Sequence, residues 1–226
     1  DELQTSYKLK NKCKVLWYSM NNKNADTYAT NVVYSHEGMS FDVYFKGEKK
    51  PLKIQTKLLG RHNVYNNLAS LTLARALGIN NDNLIKGAKN IKPVPHRLEL
   101  KIKNDIIYID DSFNSNPEGA KAALEVLSLM PGKKVIITPG MIELGPEEEK
   151  LNKELGYEIS KVCDYAILVG KKQTKPIYEG LIEVGYDKKK IYVTNDLRDA
   201  FNHLENIKDN KTYVLIENDL PDNYNE

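Results

Sequence analysis

Apolar and polar positions change rhythm along this chain. As far as about Lys57 they fall into short runs. "CKVLWYS", "ATNVVYS", "SFDVYFKG" and "LKIQTKLLG" read as four strands, with the turn-prone "HEG" between the second and third. From Gly60 the period lengthens. Val64, Leu68 and Leu71 define one apolar stripe of a helix that Gly78 stops, and a shorter helix follows over 84–89. "IKPVPHR" then holds two prolines in three residues. Proline removes a donor and disfavours helix in the residue before it, so a domain boundary is placed here, separating 1–93 from 94–226.

Past the boundary, strands and helices alternate. "RLELKIK" and "DIIYID" flank Asn104-Asp105, a hairpin-type connection. Helices are expected over 117–130, 147–161, 175–184 and 197–206, interleaved with strands "KKVIITP", "YAILVG", "KIYVT" and "TYVLIE". This order predicts an α/β domain with a mostly parallel sheet and helices on both faces. Ligands of such sheets bind beyond the carboxyl ends of the strands, which directs attention to the loops "DDSFNSNP" and "PGMIELG".

Four features could carry chemistry. The 60–79 helix begins with Asn63, Asn66, Asn67 and Ser70 at i, i+3, i+4 and i+7, on one stripe. Carboxamides at a helix start either cap it and satisfy the preceding loop, or face a ligand such as an adenine edge. Asp110 and Asp111 end a strand and, on an extended chain, point to opposite faces. Asn116-Pro117 is an N-cap and first-turn pair, sufficient by itself to explain Asn116. Arg97, just after the interdomain prolines, could reach an anion between two domains or form an ordinary ion pair. Glu143 in "PGMIELG" is a weaker candidate, and His36 and His203 have no helpful sequence neighbours.

Composition narrows the classes. With 33 basic and 31 acidic residues the net charge is +2, which gives no electrostatic reason to expect nucleic acid. No apolar run approaches the roughly 20 residues of a membrane span, and the first residues lack the apolar segment of a signal peptide. Cys13 and Cys163 have no metal-ligand spacing and read as isolated thiols in a reducing cytosol; no metal site is expected within the chain. No G-x-x-x-x-G-K-[ST] loop is present to grip a triphosphate, and no G-x-G-x-x-G to mark a plain dinucleotide fold.

Taken in order, "GRHNVYNNLASLTLARALGI", "PHRLEL" followed by "DDSFNSNP", and "PGMIELG" resemble the ATP-dependent Mur ligase family. Within it they are most similar to the branch that adds D-alanyl-D-alanine to a UDP-muramyl tripeptide. "LIENDLPDNY" is similar to a Gram-positive subgroup. The resemblance implies that 1–93 is the C-terminal part of a P-loop-type central ATPase domain and 94–226 a Rossmann-like ligase domain. The phosphate loop and the Mg2+ ligands would then precede Asp1, and the chain, as a C-terminal fragment, would be inactive alone. The substrates implied are ATP, UDP-muramyl peptide and D-alanyl-D-alanine. The setting implied is cytoplasmic peptidoglycan synthesis, which supports cell-wall biogenesis, cell shape and division, by a monomer with no nucleic-acid or membrane partner. It assigns adenine contact to Asn66 with Asn63 beside it, the nucleotide phosphates to Arg97 as the catalytic residue, the ribose to Asp111, and the reacting amine and acyl groups to Ser112, Asn114 and Asn116. One departure stands out: Pro139-Gly140-Met141 occupies the place where relatives read Gly-Asp-Met. A folylpolyglutamate-type or other cell-wall amide ligase, and a non-catalytic nucleotide-binding module, are the competing readings.

Overall fold

The computed structural model describes residues 14–219. Cys13 lies outside them, and of the first expected strand only β1 (Tyr18–Ser19) forms, parallel to β2 (Thr27–Ser35). β2, β3 (Gly38–Phe45) and β4 (Leu52–Thr56) form an antiparallel meander. Alternate positions on β3 and β4 face inward, as a half-buried sheet requires. Phe41, Val43 and Ile54 there pack on Val64, Leu68 and Leu71 of α1 (Arg61–Ala76) and on Leu84 and Ala88 of α2 (Asn81–Asn90).

The second unit runs β5 (Glu99–Lys103), β6 (Ile106–Asp111), α3 (Pro117–Ser128), β7 (Lys133–Thr138), α4 (Glu148–Val162), β8 (Tyr165–Val169), α5 (Lys175–Glu183), β9 (Ile191–Thr194), α6 (Leu197–Ile207) and β10 (Thr212–Glu217). Its sheet has the order β5-β6-β10-β7-β8-β9. Only the edge pair β5–β6 is antiparallel. The turn joining them is Asn104-Asp105, with φ of 51° and 64°, the left-handed pair that a two-residue hairpin demands. Several helix limits differ from expectation, the largest at α2, which begins at Asn81 behind an Asn80 cap rather than at 84. Leu129 caps α3 two residues before Pro131, and the Gly145-Pro146 corner makes a separate 3-10 turn ahead of α4.

Helices do cover both faces, unequally. α3, α4 and α5 bury one face, against Ile109, Ile136, Leu168 and Leu215, while α6 alone supplies Ala200 and Leu204 to the other. α4 and α5 approach closely through Gly156 and Gly180; a Cβ at either would come within 2.4 Å of a facing backbone carbonyl oxygen. Cys163 is buried, and burial pushes its thiol up. His203, which has no helpful sequence neighbours, stacks on Tyr192 with ring centroids 3.8 Å apart and shares a 2.9 Å hydrogen bond with the Tyr165 hydroxyl. The α6 helical period brings it against two strands that local sequence does not join to it.

The two units meet at a continuous apolar seam. Leu59, just before α1, and Leu98, just before β5, both belong to the core of the second unit, and Tyr34 of β2 packs on both cores. Gly60, with φ 92°, lies against Leu98: a Cβ there would stand 3.1 Å from Leu98 Cδ1 and 2.6 Å from the His62 ring. The start of the amide helix therefore abuts the segment that leads into β5.

Candidate functional site

The amides of α1 are ordered among themselves. The N-cap is Gly60, and no side chain caps the helix, so capping does not account for the asparagines. Instead Asn63 Nδ2 donates back to the Leu59 carbonyl at 2.7 Å, satisfying the loop, while its Oδ1 accepts from Asn66 Nδ2 at 3.1 Å. Asn67 Nδ2 donates to the Asn63 carbonyl, and its Oδ1 is buried without a partner among the described residues. Asn66 is exposed and Asn63 half-buried. His62, beside Asn63 Nδ2 at 3.1 Å, is pushed below its ordinary value by burial.

Leu98 packs where the start of α1 meets the second core. Its φ of 49° is left-handed, a conformation that costs an L-residue of order 1 kcal/mol. Two things hold it there: a fully packed side chain, and a 3.0 Å hydrogen bond from its N–H to Asp111 Oδ1. Burial pushes the Asp111 carboxyl up, against that bond and the nearby Arg97 charge. Arg97 itself turns outward, its guanidinium carbon 4.3 Å above the Phe113 ring, and the Phe113 N–H returns to the His96 carbonyl at 3.2 Å. Hinge and loop are thus clasped twice. The clasp leaves the Arg97 fork on the surface, in place to reach an anion.

Asp110, on the opposite face as the extended chain requires, gathers a different set. Its Oδ2 accepts from Lys101 Nζ at 2.5 Å and lies 3.0 Å from His96 Nδ1; its Oδ1 accepts from Ser112 Oγ at 2.7 Å. Burial raises this carboxyl, but Lys101 and Ser112 outweigh it and hold it below its ordinary range. Lys101 is raised by the same bond. Ser112 is therefore bound to Asp110 rather than loose in the loop. Asn114 Oδ1 accepts from the Ser115 N–H, and Asn116 Oδ1 caps α3 through the Gly119 N–H at 2.9 Å. So the expected residues separate into an amide stripe on α1, Arg97 and Asp111 at the hinge, and a tightly turned loop from Ser112 to Asn116. The seam unites the first two through Gly60 and Leu98.

A large cavity lies elsewhere. About 1100 Å³ in volume, it runs along the α6 face past the carboxyl ends of β7, β8 and β10, lined by Pro139, Gln173, Asn195 and Asn218, and it reaches the expected set only at Ser112. His96 and Asp110 also line it, so it places the open space on the Asp110 side of the loop. Sequence reading missed Lys101, Ser115 and Glu217. Glu217, at the end of β10, is 1% exposed, and its Oε1 accepts from Ser115 Oγ. Its signal was an acidic residue directly continuing the buried run of "TYVLIE". Among the described residues no group of three or more His, Cys, Asp or Glu stands together to hold a metal ion.

Comparison with known proteins now decides the lineage. Residues 96–216 match the model of the Mur ligase, glutamate ligase domain, and residues 1–74 that of the Mur ligase middle domain. The chain belongs to the Mur ligase family. UDP-N-acetylmuramoyl-tripeptide–D-alanyl-D-alanine ligase of Escherichia coli strain K12 is 34% identical over 162 residues, covering 70% of this chain and 35% of that protein. The enzyme of the same name from Bacillus subtilis strain 168 is 33% identical over 161 residues, 70% of this chain and 33% of that protein. The chain thus spans about a third of the length of these relatives. Among solved structures, MurF ligase from Thermotoga maritima in complex with ADP shares the fold at a TM-score of 0.73 and 22% identity, over 90% of this chain and 44% of that one. No helix among the described residues is long and apolar enough to cross a membrane.

Proposed function

We propose that the full-length protein containing this chain is an ATP-dependent ligase that joins D-alanyl-D-alanine to a UDP-muramyl tripeptide in cytoplasmic peptidoglycan synthesis. The observation that carries this reading is the seam itself. Gly60 against Leu98, and Leu98 on Asp111, bring the start of the amide helix, Arg97 and Asp111 to one junction between two lobes. The 34% identity to a ligase of that activity supports the substrate choice.

In the proposed reaction a carboxylate oxygen of the tripeptide attacks the γ-phosphorus of ATP, and ADP leaves. The amine then attacks the acyl carbon, inorganic phosphate departs, and the nitrogen loses a proton. Asn63 and Asn66 would take the adenine edge with their carboxamides, and the second oxygen of Asp111 the ribose. Arg97 would neutralise charge on the transferring phosphoryl group, where removing such a cation raises the barrier most. Ser112, Asn114 and Asn116 would hold the amine and acyl groups in attacking geometry, with lobe closure excluding the water that would hydrolyse an acyl phosphate. Mg2+ would add charge neutralisation beside Arg97; among the described residues no group of three or more His, Cys, Asp or Glu stands together to hold it.

Amine-dependent ADP release by the full-length protein tests the reading. Arg97→Ala should lower kcat/KM roughly 100-fold or more, and Asn66→Ala should raise KM for ATP about tenfold. Unchanged constants in both would dismiss the seam as the nucleotide site. A second amine deserves an assay, because UDP-N-acetylmuramate–L-alanine ligase of Dictyoglomus turgidum is 33% identical over 132 residues, 58% of this chain and 27% of that protein. Preference for L-alanine on a muramate acceptor would select that alternative.

A further inference from the structure

Glu217 is the least expected group in the molecule. It closes β10, the strand inserted between β6 and β7, and sits in direct register with Asp111 on β6. Parallel register puts both carboxyls on one face of the sheet. Glu217 Oε1 accepts from Ser115 Oγ, while Oε2 is buried with no hydrogen-bond partner among the described residues. From β6 it is faced by Asp111, a like charge, and from the loop by the Ser115 hydroxyl; the last residues of β7, Ile137 and Thr138, bring no ionisable group. Asn218, next along, donates to the Gly140 carbonyl at 2.7 Å and seals the other side. A carboxylate with one bare oxygen, no cation and an acidic neighbour is strongly disfavoured in a dry site. The uncharged acid leaves only a neutral group short of a partner.

We infer that Glu217 is a positioning residue held as a neutral acid: through Ser115 Oγ its buried carboxyl fixes the loop that carries Ser112, Asn114 and Asn116. The loop is then tied at three points. The Ser115 hydroxyl goes to Glu217, the Ser115 N–H to Asn114, and Ser112 to Asp110. Consistent with this, burial and Asp111 push the carboxyl up to about 8 against the pull of Ser115. Ionisation would set a second negative charge beside Asp111, which holds Leu98, so loop and hinge should loosen together. The catalytic consequence rests on the ligase reading; the structural consequence does not.

Glu217→Gln keeps the shape and the acceptor but has no proton to lose. In the full-length ligase the ratio of variant to wild-type kcat/KM, in which the amine substrate's own titration cancels, should be near one at pH 6.5. It should reach roughly tenfold in the variant's favour at pH 9, one unit above the wild-type midpoint. A ratio flat across this range overturns the inference. Independently, in the 226-residue chain itself, backbone amide resonances of Ser112, Ser115 and Leu98 should shift together with a midpoint near 8 in the wild type and stay fixed in Glu217→Gln. Resonances that ignore pH in the wild type, or that stay at wild-type positions in Glu217→Leu, overturn it as well. Should the full-length wild type release no ADP at any pH, the ligase reading fails, and the resonances still decide the role of Glu217.

Discussion

The two faces of the sheet at the end of β6 receive carboxylates one residue apart and treat them in opposite ways. On one face Asp110 meets Lys101, His96 and Ser112 beside an open cavity, and its charge is compensated. On the other, the half-buried Asp111 stands in register with the fully buried Glu217, with a backbone N–H and a hydroxyl as their partners. Both belong to the same short stretch of backbone. Environment, not residue type, decides that one face keeps a permanent negative charge and the other resists it.

Stability against pH separates the faces most sharply. The folded state raises Glu217 from an ordinary 4.5 to about 8, so between those values the native protein holds a proton that the unfolded chain has released. Stability contributed by Glu217 is therefore complete below about 4.5 and is lost as pH rises through 8, by on the order of 5 kcal/mol. Thermal melts of Glu217→Gln should lack this loss, giving a Tm several degrees above wild type at pH 8.5 and near it at pH 5. Parallel curves would erase the distinction between the faces.

Asp110 predicts the opposite limb. Its carboxyl is held below the ordinary 3.8, so its contribution is present above that value and is lost as pH falls through the lower folded one. Asp110→Asn should cost about 1–2 kcal/mol at pH 7, discounted for the partial exposure of Lys101, and the difference should shrink as the carboxyl protonates in acid. Asn116→Ala serves as the control between the faces. Loss of the α3 cap should cost about 1 kcal/mol at every pH, read by urea midpoint. The smallest effect belongs to Lys101→Met, expected under about 1 kcal/mol and shrinking in high salt, because its side chain is 44% exposed.

Much of this was legible in the chain. The alternation of strands and helices, the Asn104-Asp105 turn and the opposed aspartates each follow from local rules, and each is where those rules put it. The amide stripe was legible as a pattern but not as a network. That Asn63 would satisfy Leu59 while Gly60 served as the cap depends on a glycine φ of 92°, set by packing against Leu98. Glu217 was legible only as an acidic residue continuing a buried run, not for what it does. Its meaning comes from Asp111 and Ser115, over a hundred residues earlier, brought beside it by a parallel pairing that no local period encodes.

The position of β10 has one more consequence. Thr212–Glu217 is the last strand described, yet it lies between β6 and β7 and hydrogen-bonds to both. During translation those two strands leave the ribosome long before the one that separates them. Until it arrives, each presents a bare, apolar backbone edge, open to the wrong neighbour. A nascent chain stalled near Asn210 should thus be prey for chaperones or aggregates, and release of a few more residues would complete the sheet in a single late event.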